Sequence, residues 1–370
     1  MENQTANRPT RRRPKKAKGQ IALRFVRRFL LVFFTVIILA FIGLVMVCNL
    51  IFNGPSTTAR DRLTMSMRES SGMKWCPALF IGEDTVAEIE KITAAELPDE
   101  LSDNSQIKID LDNVLSGTDE WENHPDGIRI EKVSGDTYNA HVMIIRDPSR
   151  VYLATSSDNF STSKPGTRIT QQIETEGAVA AINAGAFYDD GTGNSIVGSV
   201  PEGLVISEGT VRWTSGKAPQ EGFVGFNKDN VMIVAKTMTA DKAMELGIRD
   251  GCCFGPVLIM NNTVNEEAYN AKSGLNPRTA IGQRADGAVI FLCIDGRQAS
   301  SMGGTYADII DIMVEYGAVN ACNLDGGSST VMLYRDYQTG QVSMVNSYSL
   351  LQEQPRRMPT FIMVRPESEG

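Results

Sequence analysis

Residues 29–52 form an unbroken run without a charge, dominated by Leu, Ile, Val and Phe. As a helix, these 24 residues reach across the roughly 30 Å of a bilayer's hydrocarbon. A core helix apolar on every side for this length has no place in an ordinary soluble domain, so the run predicts a single transmembrane helix. Arg24, Arg27 and Arg28 stand directly before it. The bias of positive charge to the cytoplasmic side then predicts a cytoplasmic tail, with the body of the chain extracytoplasmic at a cell membrane. A cleaved signal peptide begins in the same way. The run is longer than the apolar part of such a peptide, and no clean small-x-small cleavage site follows it, which favours an uncleaved anchor.

Charge divides the chain at the same place. Residues 1–28 hold ten Lys and Arg against the single acid Glu2, a net of +9, whereas the whole chain of 370 residues carries −8. The remainder therefore carries −17. Such an acidic body repels phosphate backbones and excludes nucleic acid as a partner. The basic tail suits anionic lipid headgroups and needs no specific protein partner.

Cysteine and histidine usage narrow the chemistry further. Cys48 lies in the apolar run, leaving Cys76, Cys252, Cys253, Cys293 and Cys322, an odd number without repeated spacing. That is no disulfide framework, although one bridge stays open. Cys293 and Cys322 sit in apolar runs and read as small core residues. His124 and His141 are the two histidines, so few bases exist for a Ser-His-Asp or Cys-His site and a multi-histidine zinc site is excluded. No P-loop, dinucleotide fingerprint or CxxC occurs. No cofactor and no metal is expected, and any hydrolysis must rely on carboxylates, arginine, amides and backbone donors.

Four regions follow: a basic tail (1–28), the anchor (29–52), a partly helical stalk or peripheral layer (53–126) and a compact domain (127–368). Within the stalk, 83–97 is the best helix and no chemistry stands out. From Gly127 onward, strands are expected at 128–133, 140–146, 150–155, 178–182, 203–206, 222–226, 231–234, 255–259, 288–294, 319–324, 331–334 and 361–364. Helices are expected at 169–176, 241–246 and 306–316, with a polar loop at 189–195. Many short strands with few helices make an α+β fold, a β-rich mixed-sheet domain. The continuously apolar run 288–294 predicts a strand covered on both faces. In 306–316, Ile309, Ile310, Met313 and Val314 share one helical face, and Gly317 stops it.

The chemistry-bearing residues fall where strands give way to turns, positions at which side chains escape the core while the sheet fixes them. Asp295, Asp308 and Asp325 are the candidate acids, because glycoside cleavage pairs a carboxylate that stabilises or attacks the anomeric centre with one that manages protons. A phosphodiester leaving group needs little protonation, so an arginine fork serves it, and Arg278 and Arg297 have the right type. Each has a structural alternative. Asp295-Gly296 is also ordinary turn chemistry, and Asp308 stands three residues after Thr305, the spacing of a helix cap. Arg278 equally suits a surface ion pair, and Asn183 either forms a turn or reads a hydroxyl. Asp325 is followed by Gly326, Gly327, Ser328 and Ser329, more than a hairpin requires and suited to an anion-binding nest.

These residues resemble the phosphodiester glycosidase family over roughly residues 127–364. The resemblance rests on Asn183-Ala184-Gly185-Ala186-Phe187, Pro277-Arg278-Thr279-Ala280, Asp295-Gly296-Arg297, Thr305 with Asp308, and Asn323-Leu324-Asp325-Gly326-Gly327-Ser328, in the family's order. Arg356 also resembles a family arginine. The family commonly has glutamate in place of Asp308 and glycine in place of Ser328. The resemblance implies hydrolysis of a sugar-1-phosphodiester at its glycosidic bond. Asp325, Asp295 and Asp308 would be the catalytic acids. Arg278, Asn183, Thr279, Arg297, Gly326, Gly327 and Ser328 would bind substrate.

Three functions fit this pattern. The first is a membrane-anchored hydrolase acting on a phosphate-linked glycan of the cell envelope or an exopolysaccharide. The second is a non-catalytic glycan-binding or assembly factor in exopolysaccharide production. The third is a metal-assisted phosphodiesterase with the three aspartates as oxygen ligands.

Overall fold

Alternation decides the centre of the fold. Along the strand Val289–Ile294 (β14), Val289, Phe291 and Cys293 enter one buried cluster, while Ile290, Leu292 and Ile294 enter another. The strand is therefore covered on both faces, as its apolar run requires. The computed structural model describes residues 16–70, 72–93, 101–109, 121–188, 198–217, 220–348 and 354–367. The polar loop expected at 189–195 lies outside the described residues.

The chain divides into two units, Met1–Ser56 and Thr57–Gly370. The first contains one helix, Lys16–Phe52 (α1), whose segment Leu23–Phe52 is long and apolar enough to cross a membrane. Between positions 23 and 47 its large apolar side chains stand exposed, an arrangement water penalises and lipid tolerates.

The second unit is built on three larger sheets. The first, in spatial order, pairs Ile128–Ser134 (β1), Asn139–Ile145 (β2), β14, Arg278–Arg284 (β13), Ala318–Leu324 (β15), Val257–Met260 (β11) and Thr263–Val264 (β12). The second orders Thr210–Thr214 (β7), Leu204–Ser207 (β6), Ile248–Cys253 (β10), Gln220–Asn227 (β8) and Met232–Met238 (β9). The third orders Val342–Met344 (β17), Met332–Arg335 (β16), Ala180–Asn183 (β5), Thr360–Val364 (β19) and Val151–Thr155 (β3). Arg357–Met358 (β18) and Thr167–Arg168 (β4) make a small ribbon. The strand pairings among the described residues are antiparallel, and the α+β expectation holds.

Helices cover what the sheets leave open. Thr57–Arg68 (α2), Cys76–Ile81 (α3) and Glu83–Thr93 (α4) belong to the second unit. On α4, Val86 and Ile89 are buried, the three-residue spacing of one helical face. Ile169–Glu176 (α5) lies where the sequence puts it, and Ala240–Glu245 (α6) and Glu266–Asn270 (α7) are short. Tyr306–Glu315 (α8) lays Ile309, Ile310, Ile312 and Met313 against the first sheet's outer face. No disulfide joins the described residues, and Cys252, Cys253, Cys293 and Cys322 are buried thiols.

The strand β13 was not expected from the sequence. It carries Thr279 and Gln283, both fully buried, at the centre of the sheet. Their polar groups are satisfied across the molecule. Gln283 Oε1 accepts from the amide of Met232 at 2.6 Å, and its Nε2 donates to the carbonyls of Asn230 and Gly287 at 2.9 Å.

Candidate functional site

Because β13 runs antiparallel between β14 and β15, its first residues meet the last residues of both neighbours. Arg278 pairs with Ile294, and Thr279 pairs with Leu324. The edge of the sheet formed by these strand ends thus gathers Pro277-Arg278, the Asp295-Gly296-Arg297 turn and the Asp325–Ser328 loop. At that edge Asn183, at the end of β5, is fully buried. Its Nδ2 donates to the carbonyl of Asp325 at 2.5 Å, while its Oδ1 accepts from Thr279 Oγ1 at 2.8 Å and the Val331 amide at 3.2 Å. Asn183 and Thr279 therefore act beneath the loop, fixing the main chain of Asp325.

Above the edge opens a cavity of about 300 Å³, within the range of small-ligand sites. Three carboxylates line it, Glu69, Glu202 and Asp325, together with two guanidiniums, Arg297 and Arg356. Gly326, Gly327 and Ser328 form its floor, Phe187 and Phe254 part of its walls, and Ser70 and Gly72 one side. Arg356 lies over the Phe187 ring, 4.8 Å from its centroid, and its Nη1 donates to Ser328 Oγ at 3.3 Å. The ring and the hydroxyl hold the cation in place at the cavity.

The loop itself is tightly folded. Gly327 has φ +60°, a left-handed conformation that favours glycine. Its amide donates to Pro277 O at 2.8 Å, and the Ser329 amide donates to Gly326 O at 3.1 Å. Those two donors are spent within the protein. Arg297 also adopts a left-handed φ of +58°, uncommon outside glycine, and its Nη2 donates to Asn276 Oδ1 at 3.2 Å.

Of the sequence-predicted site residues, Asp325, Arg297, Gly326, Gly327 and Ser328 line the cavity. Others lie behind it. Arg278 is buried: its Nε donates to Gly304 O at 3.1 Å, and its Nη2 donates to Gly274 O at 2.7 Å and to Glu69 at 2.9 Å. The guanidinium also stands over the Tyr306 ring at 4.6 Å. Burial alone would pull it down, but Glu69 and Tyr306 outweigh burial and hold it above the ordinary arginine value. Asp295 is buried, with Oδ2 facing His141 Nε2 at 3.2 Å and Oδ1 accepting from the Ser347 amide at 2.8 Å. Asp308 caps α8, its Oδ2 accepting from the Thr305 amide at 2.6 Å and hydroxyl at 2.7 Å.

Two cavity carboxylates had no signal in the sequence. Glu69 lies in the region read as a stalk, and Glu202 belongs to no motif. Among the described residues no three His, Cys, Asp or Glu side chains converge as a metal-binding group, so Asp295, Asp308 and Asp325 do not form one ligand set.

Residues 176–365 match the profile of a family described as phosphodiester glycosidase. The SPbeta prophage-derived uncharacterized protein YomE of Bacillus subtilis (strain 168) is 27% identical over 180 residues, 47% of this chain. The chain spans 27% of that protein's length. A zebrafish N-acetylglucosamine-1-phosphodiester alpha-N-acetylglucosaminidase catalytic domain, auto-inhibited by pro-peptide, has a similar fold. The TM-score is 0.51 at 19% identity, covering 66% of this chain and 85% of that one.

Proposed function

The chain belongs to the phosphodiester glycosidase family, and from that premise we propose that it hydrolyses the glycosidic bond of a sugar-1-phosphodiester in the cavity lined by Asp325. The observation that carries this reading is that Arg297, Arg356 and Asp325 line one space of a sugar phosphate's size. Arg297 and Arg356 hold the phosphate by charge-assisted hydrogen bonds. Arg278 and Asp295 support the edge from behind, and Asn183 with Thr279 fixes the Asp325 loop. Asp308 sets the start of α8.

The chemistry needs no strong general acid. The bond between the anomeric carbon and the phosphate oxygen breaks with its electron pair leaving on the phosphate, which departs as a stable anion. Asp325 stabilises or captures the developing cation at the anomeric carbon. Water adds there, and its proton passes to a cavity carboxylate; we assign Glu202, which is exposed at the cavity, because Glu69 is already engaged by Asn276 and Arg278. The products are a free sugar and a phosphomonoester.

We place this activity outside the membrane, with α1 as the anchor, the basic tail on the cytoplasmic side and a phosphate-linked envelope glycan or exopolysaccharide as substrate. Supporting this are the apolar run 29–52 within the segment Leu23–Phe52 and the arginines at that segment's start, Arg24, Arg27 and Arg28. The test uses the full chain in detergent with a sugar-1-phosphodiester in ¹⁸O-water. Label in the released sugar, with kcat/KM reduced roughly 10²-fold or more by Asp325→Asn, is the expected result. Label in the phosphate, or turnover untouched by Asp325→Asn, overturns the proposal. Binding without sugar release would instead favour a glycan-binding factor.

A further inference from the structure

The helix α2 and the residues after it reach the cavity from a part of the chain far removed in sequence. Ser66 Oγ donates to Leu275 O at 3.3 Å, and the buried Asp61 pairs with Lys272 at 2.9 Å. At Gly274 the approach is so close that a Cβ would stand 2.4 Å from the Ser66 amide nitrogen. These contacts seat the end of α2 against residues 272–278, and Glu69 follows at the cavity wall.

Glu69 Oε2 accepts from Asn276 Nδ2 at 2.5 Å as well as from Arg278. Asn276 is 2% exposed, and its Oδ1 accepts from Arg297 Nη2. An amide has one accepting and one donating end, and a carboxylate only accepts. Glu69 therefore forces the Asn276 amide to present its NH₂ to the carboxylate and its oxygen to Arg297. Reversed, the amide would aim a donor at a guanidinium that has only donors. We propose that Glu69 is a positioning residue for the anion seat: through Asn276 it orients Arg297 toward the phosphate of the substrate. This rests on reading the cavity as a phosphate site, and it makes α2 part of the site rather than a spacer.

The sign of the effect separates this role from simple electrostatics. As a fixed negative charge in the cavity, or as a group merely competing for the cations, Glu69 would weaken phosphate binding, and its removal would tighten it. As a positioning residue, its removal weakens binding.

The experiment titrates inorganic phosphate into the full chain in detergent by calorimetry. Wild type is expected to bind, and Glu69→Met, which keeps the length but loses the acceptor, to bind roughly tenfold more weakly. Glu69→Gln keeps an accepting oxygen and is expected to bind at least as well as wild type. In an Asn276→Ala background, Glu69→Met should cause no further loss, because the intermediary is gone. Tighter binding by Glu69→Met, equal weakening by Glu69→Gln, or full additivity with Asn276→Ala overturns the inference. So does a wild type that binds no phosphate, whereas the hydrolysis reading is judged separately by release of labelled sugar.

Discussion

His141 Nε2 and Asp295 Oδ2 meet at 3.2 Å in the interior, each residue about 5% exposed or less. An ionised Asp295 only accepts, so the imidazole carries its proton on Nε2, an assignment inferred from the partner. Through the Ser347 amide the same carboxylate also ties down the segment after β17. His141→Leu should therefore cost about 1–3 kcal/mol, the penalty for leaving a buried acceptor short of a donor. His141→Gln, which can still donate, should cost less. Equilibrium denaturation of the two variants checks the order, and equal losses would reject it.

Asp308 gives the opposite kind of prediction from a catalytic acid. Its carboxylate closes a capping box with Thr305 at the start of α8. Asp308→Ala should lower stability by about 1 kcal/mol while leaving kcat/KM for the proposed hydrolysis within about twofold in the folded protein. A large loss of turnover at unchanged stability would return Asp308 to the reacting groups.

Gly327 is the residue of the loop least open to change. A Cβ there would lie 3.3 Å from Arg297 Nη2, on a backbone already at φ +60°. Gly327→Ala should cost about 1–2 kcal/mol from the left-handed backbone alone. It should also raise KM more than it lowers kcat, because the guanidinium must shift. Steady-state kinetics with the phosphodiester substrate decide it.

Acid should loosen the seat of α2. Burial would raise the carboxyl of Asp61, but hydrogen bonds and charge from Lys272 and Arg60 outweigh burial and hold it below its ordinary value of 3.8. The folded pKa being depressed, the unfolded chain takes up the proton first as pH falls. The stabilisation is thus complete well above pH 3.8 and disappears as pH falls through the folded pKa. Lys272 is partly exposed, which keeps the contribution to about 1 kcal/mol. Asp61→Asn should flatten this acid dependence, read as denaturation midpoints between about pH 5 and pH 2.5; parallel curves for the two proteins would reject it.

Much of the fold was readable where burial alone set the pattern. The strand β14 announces itself by its unbroken apolar run and the helix α8 by its helical period. On α8, however, Val314, expected on the buried face, is exposed and Ile312 is buried instead. The strand β13 did not announce itself, because Thr279 and Gln283 look like surface residues until Asn183, Met232, Asn230 and Gly287 supply their partners. The motifs likewise marked Asp325, Arg297 and the Gly326–Ser328 floor. They could not tell a group that faces the cavity from one that braces it, and Arg278 and Asp295 are of the second kind.

By itself, then, the chain's order of residues determined the apolar helix, the α+β character and the turns that carry the acids and arginines. These are local properties, written in hydrophobic period and in what glycine permits. Tertiary structure alone decided which charges share a space. Glu69 reaches Asn276 and Arg278 across some two hundred residues, and a hydrogen bond over that span depends on where α2 docks, which no spacing in the sequence records.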